Sequence, residues 1–125
     1  MNTDKIKDSK QLKISFNYKH GKVRVYRRLI ETLGSPKYIQ FLIKPEDKLL
    51  FIVGLEKREQ DSFPVVLSKD SRHGGMVLNG QRFVRKMSEI GGWSLEGSYV
   101  IGGKVVEGMN MIEFDLTNVL NREIE

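Results

Sequence analysis

The chain has 125 residues, which predicts a single domain, and its 39% hydrophobic and 30% charged residues are a globular composition that argues against disorder. It contains no cysteine, which excludes disulfide and thiolate chemistry, and no apolar run approaches the length of a membrane span. The polar start, Met1 to Lys5, lacks the apolar region of a signal peptide, so we expect a cytoplasmic protein with no membrane partner.

The net charge of +5 is distributed unevenly along the chain. Residues 1–88 carry 19 Lys and Arg against 9 Asp and Glu, whereas residues 89–125 carry 2 against 7. Seven basic residues and no acidic one lie within residues 9–30, and four more, again without an acid, lie within residues 71–88. This segregation predicts a one-sided potential that favours a polyanionic partner. The alternative is a solvated basic face that the acidic last third balances in the fold.

The first predicted elements are a hairpin and a short helix. Alternating apolar and polar residues predict strands over 12–16 and 23–25, joined by a tight turn around Gly21. Apolar residues at helical spacing predict a helix over 26–33. Gly34 can end this helix because glycine readily adopts the left-handed conformation of a C-terminal cap.

A second hairpin and an edge strand follow the helix. Apolar runs over 38–43 and 49–53 predict a well-covered core strand pair, with a turn at Pro45 between them. Residues 63–67 predict a short strand, which Pro64 places at the edge or the start of a ladder.

The second half of the chain is predicted to repeat this order. Its strands are predicted over residues 76–78, 98–101, 104–106 and 111–116. A helix with Phe83, Met87 and Ile90 on one face follows the first of them. Gly91-Gly92 should end the helix, and Gly102-Gly103 should form a hairpin turn. We expect Glu113 and Asp115, on one face of the last strand, to pair with basic residues of the neighbouring half.

These elements predict an α+β fold, a strand-dominated single domain made of two degenerate strand–helix–hairpin repeats. The repeats span residues 11–67 and 74–117, residues 1–10 form a flexible tail, and the strands can close into a β-barrel. The corresponding residues lie 57 apart, pairing Tyr26, Arg28, Ile30, Leu33 and Gly34 with Phe83, Arg85, Met87, Ile90 and Gly91. The alternative to an internal duplication is that the match is generic, because any two amphipathic helices that end in glycine align this well.

Residues 21–34, GKVRVYRRLIETLG, combine a turn glycine, an alternating strand and a short helix ending in Leu-Gly. This segment resembles the core of the AbrB/MazE/MraZ family of swapped-hairpin β-barrels, mainly over residues 12–55 and less closely over 74–116. Tyr26 and Phe83 stand where the family usually has proline. The resemblance implies a DNA-binding regulator of transcription, in which the two halves form one barrel.

The resemblance places the nucleic-acid-binding residues in the turn, strand and helix start of each half. They are Lys19, Lys22, Arg24, Arg27 and Arg28 in the first half, and Arg82, Arg85 and Lys86 in the second. Such side chains neutralise phosphates, and arginine can also bind a phosphate or a guanine edge through two hydrogen bonds. The expected partner is double-stranded DNA. The alternative function is a protein-interaction or assembly module, with a second copy or an acidic protein as its partner.

The sequence predicts no catalytic residue, no metal site and no cofactor. His20 and His73 each adjoin a glycine in a basic loop, and a metal site would need further ligands. No Gly-x-Ser-x-Gly segment occurs, and the glycine pairs fit neither a phosphate-binding loop nor a dinucleotide fingerprint. We therefore expect a protein that is not an enzyme.

Overall fold

A computed structural model of the chain describes residues 12–68 and 75–123. The predicted flexible tail, residues 1–10, lies outside these ranges. The described elements are, in chain order, β1 Lys13–Asn17, β2 Lys22–Val25, α1 Arg27–Thr32, β3 Tyr38–Lys44, a 3-10 turn Pro45–Asp47, β4 Leu49–Leu55, β5 Ser62–Pro64, β6 Met76–Asn79, α2 Gln81–Gly91, β7 Ser98–Val105 and β8 Met111–Glu123.

The eight strands of the described residues belong to one antiparallel sheet in the order β5-β3-β4-β8-β7-β1-β2-β6. The sheet is strongly curled into a half-barrel, which confirms the prediction of a strand-dominated single domain. Among the described residues no ladder joins the two outermost strands, β5 and β6, so the half-barrel is open between them. The hairpin β7–β8 lies between β4 and β1, so the elements of the two halves interleave.

The core fills the concave side of the sheet. Alternate strand residues point inward, because successive side chains of a strand lie on opposite faces. Phe16 of β1 and Phe114 of β8 are fully buried, and α1 with its C-terminal cap contributes Leu29, Ile30 and Leu33, as the sequence pattern predicts. The fully buried large side chains are Phe16, Phe114, Ile14, Leu29, Ile30, Ile39, Leu50, Ile52, Met87, Ile101, Ile112 and Leu116.

The two helices within the described residues end where the sequence predicts. After α1, Gly34 has a φ of +82°, and its N–H donates to the carbonyl of Glu31 at 2.9 Å. After α2, Gly92 has a φ of +76°, and its N–H donates to the carbonyl of Ser88 at 2.8 Å. The positive φ favours glycine at both positions, because other L-residues are strained there.

The predicted turn at Gly102-Gly103 is wrong. Strand β7 runs through both glycines, with register shifts against β8 near them. The chain reverses over residues 106–110, where the N–H of Val106 donates to the carbonyl of Met111 at 3.1 Å and Gly108 has a φ of +80°. The glycine pair allows close packing between strands and does not form a turn. The periodicity of the sequence alone does not distinguish these two roles of a glycine pair.

Replacement of Gly103 by alanine should test that packing role. The added Cβ would lie 2.6 Å from a methyl carbon of Ile112 and 2.6 Å from a ring carbon of Phe114, both of which are buried. We expect Gly103→Ala to lower the free energy of unfolding by about 1–3 kcal/mol in urea denaturation. Gly80→Ala is the control, because its nearest contact would be an ordinary 3.5 Å. Equal effects of the two variants would contradict the packing role.

Two further predictions need correction. Strand β8 continues to Glu123 instead of ending near residue 116, because its second part pairs with β7 after the register shifts, with Tyr99 opposite Arg122. The strand pair β3–β4 is covered on one face only: Ile39 and Ile52 are buried, whereas Leu42 is 43% exposed on the outer face. An apolar run does not reveal which of its residues face the core.

Candidate nucleic-acid interface

The candidate site is built on the tight turn between β1 and β2. The N–H of Gly21 donates to the carbonyl of Tyr18 at 3.0 Å, and Gly21 has a φ of +62°. The side-chain oxygen of Asn17 accepts from the N–H of His20 at 3.0 Å, which is an Asx-type bond that stabilises the turn. The predicted hairpin is therefore confirmed, and its turn has a defined shape.

Polar and basic side chains of this hairpin share the outer face of the sheet. Ser15 is paired with Arg24 and Asn17 with Lys22 across the β1–β2 ladder. The residues between them, including Phe16, point into the core. All four polar side chains therefore point away from the core, with the two cations side by side on β2.

These side chains line a depression of about 400 Å³, which we call the outer basin. None of the described residues that line it carries a carboxylate. Each polar side chain in it can donate a hydrogen bond, which suits an anionic ligand. The outer basin is lined by Ser15, Asn17, His20, Lys22, Arg24, Val77 and Ser98.

Hydrogen bonds within the outer basin orient its polar groups. The amide of Asn17 donates to the hydroxyl of Ser98 at 2.8 Å, and the ammonium of Lys22 donates to the side-chain oxygen of Asn79 at 2.5 Å. Within residues 12–68 and 75–123, neither Lys22 nor Arg24 forms an ion pair with a carboxylate. The ion pairs in these ranges are Lys44–Asp47, Lys104–Glu113 and Glu96–Arg122.

A second group of basic side chains lies where α2 begins, beside the same turn. The N–H of Gly80 donates to the carbonyl of Gly21 at 2.8 Å, and the amide of Gln81 donates to the carbonyl of Tyr18 at 3.0 Å. The guanidinium of Arg85 lies 5.3 Å from the centre of the Tyr18 ring and donates to its hydroxyl at 2.5 Å. A depression of about 230 Å³ is lined there by Tyr18, Gln81, Arg82 and Arg85.

The structure thus brings together some of the predicted binding residues. Lys22 and Arg24 share the outer basin, and Arg82 and Arg85 share the depression beside Tyr18. Lys19 is exposed in the turn. The remaining three are exposed on the helices and line neither depression: Arg27 and Arg28 on α1, and Lys86 on α2.

Sequence reasoning missed the neutral members of the outer basin. Ser15 and Asn17 alternate with the buried residues of β1, so their outward direction was available from the pattern. Ser98 reaches the outer basin only because β7 pairs with β1, with Asn17 opposite Ser98. His20 is exposed in its loop, as predicted, and also lines the outer basin. The other histidine, His73, lies outside the described residues.

The acidic side chains of β8 lie on another part of the sheet. Glu113 forms an ion pair with Lys104 of the adjoining strand β7 at 3.4 Å. The predicted partner in the other half of the chain is therefore wrong for Glu113. Asp115 accepts from the hydroxyl of Thr117 at 2.6 Å and from its N–H at 2.9 Å. These two hydrogen bonds hold the pKa of Asp115 below its ordinary value, because they stabilise the charged carboxylate.

Removal of the Thr117 hydroxyl should raise the pKa of Asp115. A carboxylate whose pKa is lowered on folding stabilises the protein above its unfolded pKa, about 4, and this contribution is lost as the pH falls through the folded pKa. We therefore expect Thr117→Ala to move the pKa of Asp115 towards its ordinary value and to weaken the acid dependence of stability. A carbon-detected NMR titration of the Asp115 carboxyl checks this, and an unchanged pKa would contradict the assigned cause.

Comparisons with known proteins do not assign the chain to a family. No protein-family model matches it, and no curated protein or solved structure is significantly similar. In the part of the chain that the structure describes, no three His, Asp or Glu side chains are grouped to hold a metal ion, and no helix is long and apolar enough to cross a membrane. The geometry of the site therefore carries the functional argument.

Proposed function

We propose that this chain is a small nucleic-acid-binding regulatory protein that holds the phosphate backbone of DNA against the outer basin. The observation that carries the proposal is the pair Lys22 and Arg24, side by side in a depression whose described lining has no carboxylate. A site with donors and uncompensated positive charge favours phosphate oxygens.

Each group of the site has a role in this proposal. Arg24 donates two hydrogen bonds to one phosphate, and Lys22 neutralises the next as a point charge. The hydroxyl of Ser15 donates to a phosphate oxygen, which fixes the position of the backbone but reads no sequence. Arg82, on the other side of the turn, extends the positive surface along the nucleic acid.

The order of the elements supports the proposed internal repeat and, with it, the resemblance to the swapped-hairpin family. In each half a strand is followed by a helix and a hairpin: β2, α1 and β3–β4 in the first, and β6, α2 and β7–β8 in the second. Corresponding strands also pair with each other, β2 with β6 and β4 with β8. A two-fold relation between two copies produces such pairing.

Fluorescence anisotropy with labelled mixed-sequence DNA, offered as duplex and as single strand, tests the proposal. If the chain neutralises about four phosphates, its affinity should fall about a hundredfold as salt rises from about 50 to about 200 mM. No binding of either form at the lower salt concentration would contradict the proposal.

A second candidate function is a protein-interaction module, and the outer face of β3–β4 favours it. Leu42 is 43% exposed, and Leu49 and Phe51 are only half-buried on the same face. Apolar residues grouped on an exposed sheet face are typical of contact surfaces between proteins. Light scattering separates the candidates: a dimer that dissociates in the Phe51→Lys variant, together with absent DNA binding, would favour the interaction module.

A further inference from the structure

An apolar cleft lies at the open side of the half-barrel, between the outermost strands β5 and β6. Its volume is about 200 Å³, and we call it the aromatic cleft. Side chains from β3, β5 and α2 supply the three phenylalanines that give it its name. The residues that matter for its chemistry are Phe41, Phe63, Phe83, Leu78, Asp61 and Asn79.

The three rings form an open aromatic wall. Phe41 lies at the centre, with its ring centroid 5.0 Å from that of Phe83 and 5.8 Å from that of Phe63. The Phe41 and Phe63 rings meet edge to face, at 65°. Phe63 is 38% exposed although it is a large apolar side chain, so part of its surface is available to a ligand in the cleft.

The aromatic cleft adjoins the outer basin. Asn79 lines the cleft, and its side-chain oxygen accepts the hydrogen bond from Lys22, which lines the outer basin. Asn79 and Asp61 are the polar residues of the cleft lining. An aromatic wall with polar residues at its edge therefore lies next to the proposed phosphate-binding surface.

We propose that the aromatic cleft binds one unstacked nucleobase of a single-stranded nucleic acid whose phosphates lie against Lys22 and Arg24. The inference rests on the proposed function and deepens it. The volume is below the roughly 300–1,000 Å³ of pockets for whole drug-sized ligands, and it suits one flat ring system. A base inside a duplex is covered on both faces by its neighbours, so only an unstacked base offers a face to Phe63.

The experiment compares three labelled ligands at one low salt concentration: a mixed-sequence single strand, an abasic single strand of equal length, and the duplex. The abasic strand carries the same phosphates but has no bases. We expect the base-bearing strand to bind about tenfold more tightly than the abasic strand, because stacking of even one base contributes an effect of this size. It should also bind more tightly than the duplex.

Variants of Phe63 test whether the aromatic cleft causes the difference in affinity between the base-bearing and the abasic strand. Phe63→Ala should reduce affinity for the base-bearing strand to that for the abasic strand, and Phe63→Tyr, which keeps the ring, should restore it. Leu42→Ala, which removes a similarly exposed apolar side chain from the outer face, should change neither affinity.

The outcomes separate the two proposals. Equal binding of base-bearing and abasic strands, or a Phe63→Ala variant that keeps the difference, would overturn the base-binding cleft and leave the proposed function standing. Absence of binding to all three ligands would overturn both.

Discussion

Replacement of Phe16 by alanine is expected to lower the free energy of unfolding by about 3–5 kcal/mol. Phe16 is fully buried, and its ring lies 5.5 Å from Trp93 and 6.2 Å from Phe83, measured between centroids. The variant loses the transfer free energy of the ring and leaves a cavity that the surrounding strands cannot fill. Since domains of this kind are stable by only about 5–15 kcal/mol, the change is a large share of the total.

Urea denaturation, monitored by the fluorescence of Trp93, measures this loss of unfolding free energy. The midpoint should fall while the slope of free energy against urea stays unchanged, since the surface exposed on unfolding is nearly the same. Leu42→Ala serves as the control, because Leu42 is 43% exposed and its truncation should cost less than about 1 kcal/mol. A Phe16→Ala variant as stable as the control would contradict the packing of this core.

Simultaneous replacement of Lys22 and Arg24 by alanine is expected to weaken binding to DNA by at least about tenfold at low salt. Both cations lie on the outer face of β2 and line the outer basin, so the variant removes its two strongest phosphate ligands. The slope of log affinity against log salt should become shallower by about 2, one for each lost contact.

Lys57→Ala combined with Arg58→Ala is the matched control for this experiment. It removes the same two charges from an exposed segment in which Glu56 and Glu59 are the neighbours. We expect this control to keep the salt slope of the wild type. Equal loss in both double variants would mean that net charge, and not the outer basin, governs binding.

Local sequence patterns predicted the β1–β2 hairpin and the first helix well. The alternation in β1 and β2 and the helical spacing of Leu29, Ile30 and Leu33 depend on neighbours within a few residues, and the structure confirms each of them. The ends of both helices were also predictable, because Gly34 and Gly92 adopt a conformation that few other residues tolerate.

Features that depend on distant pairing were not predictable. Gly102 and Gly103 resemble a turn in sequence, yet they lie within β7, which pairs with β8. The side chains of Ile112 and Phe114 occupy the space that a Cβ at Gly103 would need. The outer basin shares this dependence, since Ser98 is 81 residues from its partner Asn17. The aromatic cleft needs Phe41 and Phe83, which come from opposite halves of the chain and meet only in the curled sheet.

The most direct test of the proposed function is a map of backbone amide shift changes by NMR as DNA is added. The account predicts the largest changes at residues 15–24 of the β1–β2 hairpin and at residues 79–85, where the outer basin, the aromatic cleft and the start of α2 meet. Largest changes around Phe51 and Glu113 on the outer face of β4 and β8, or no changes at low salt, would contradict it.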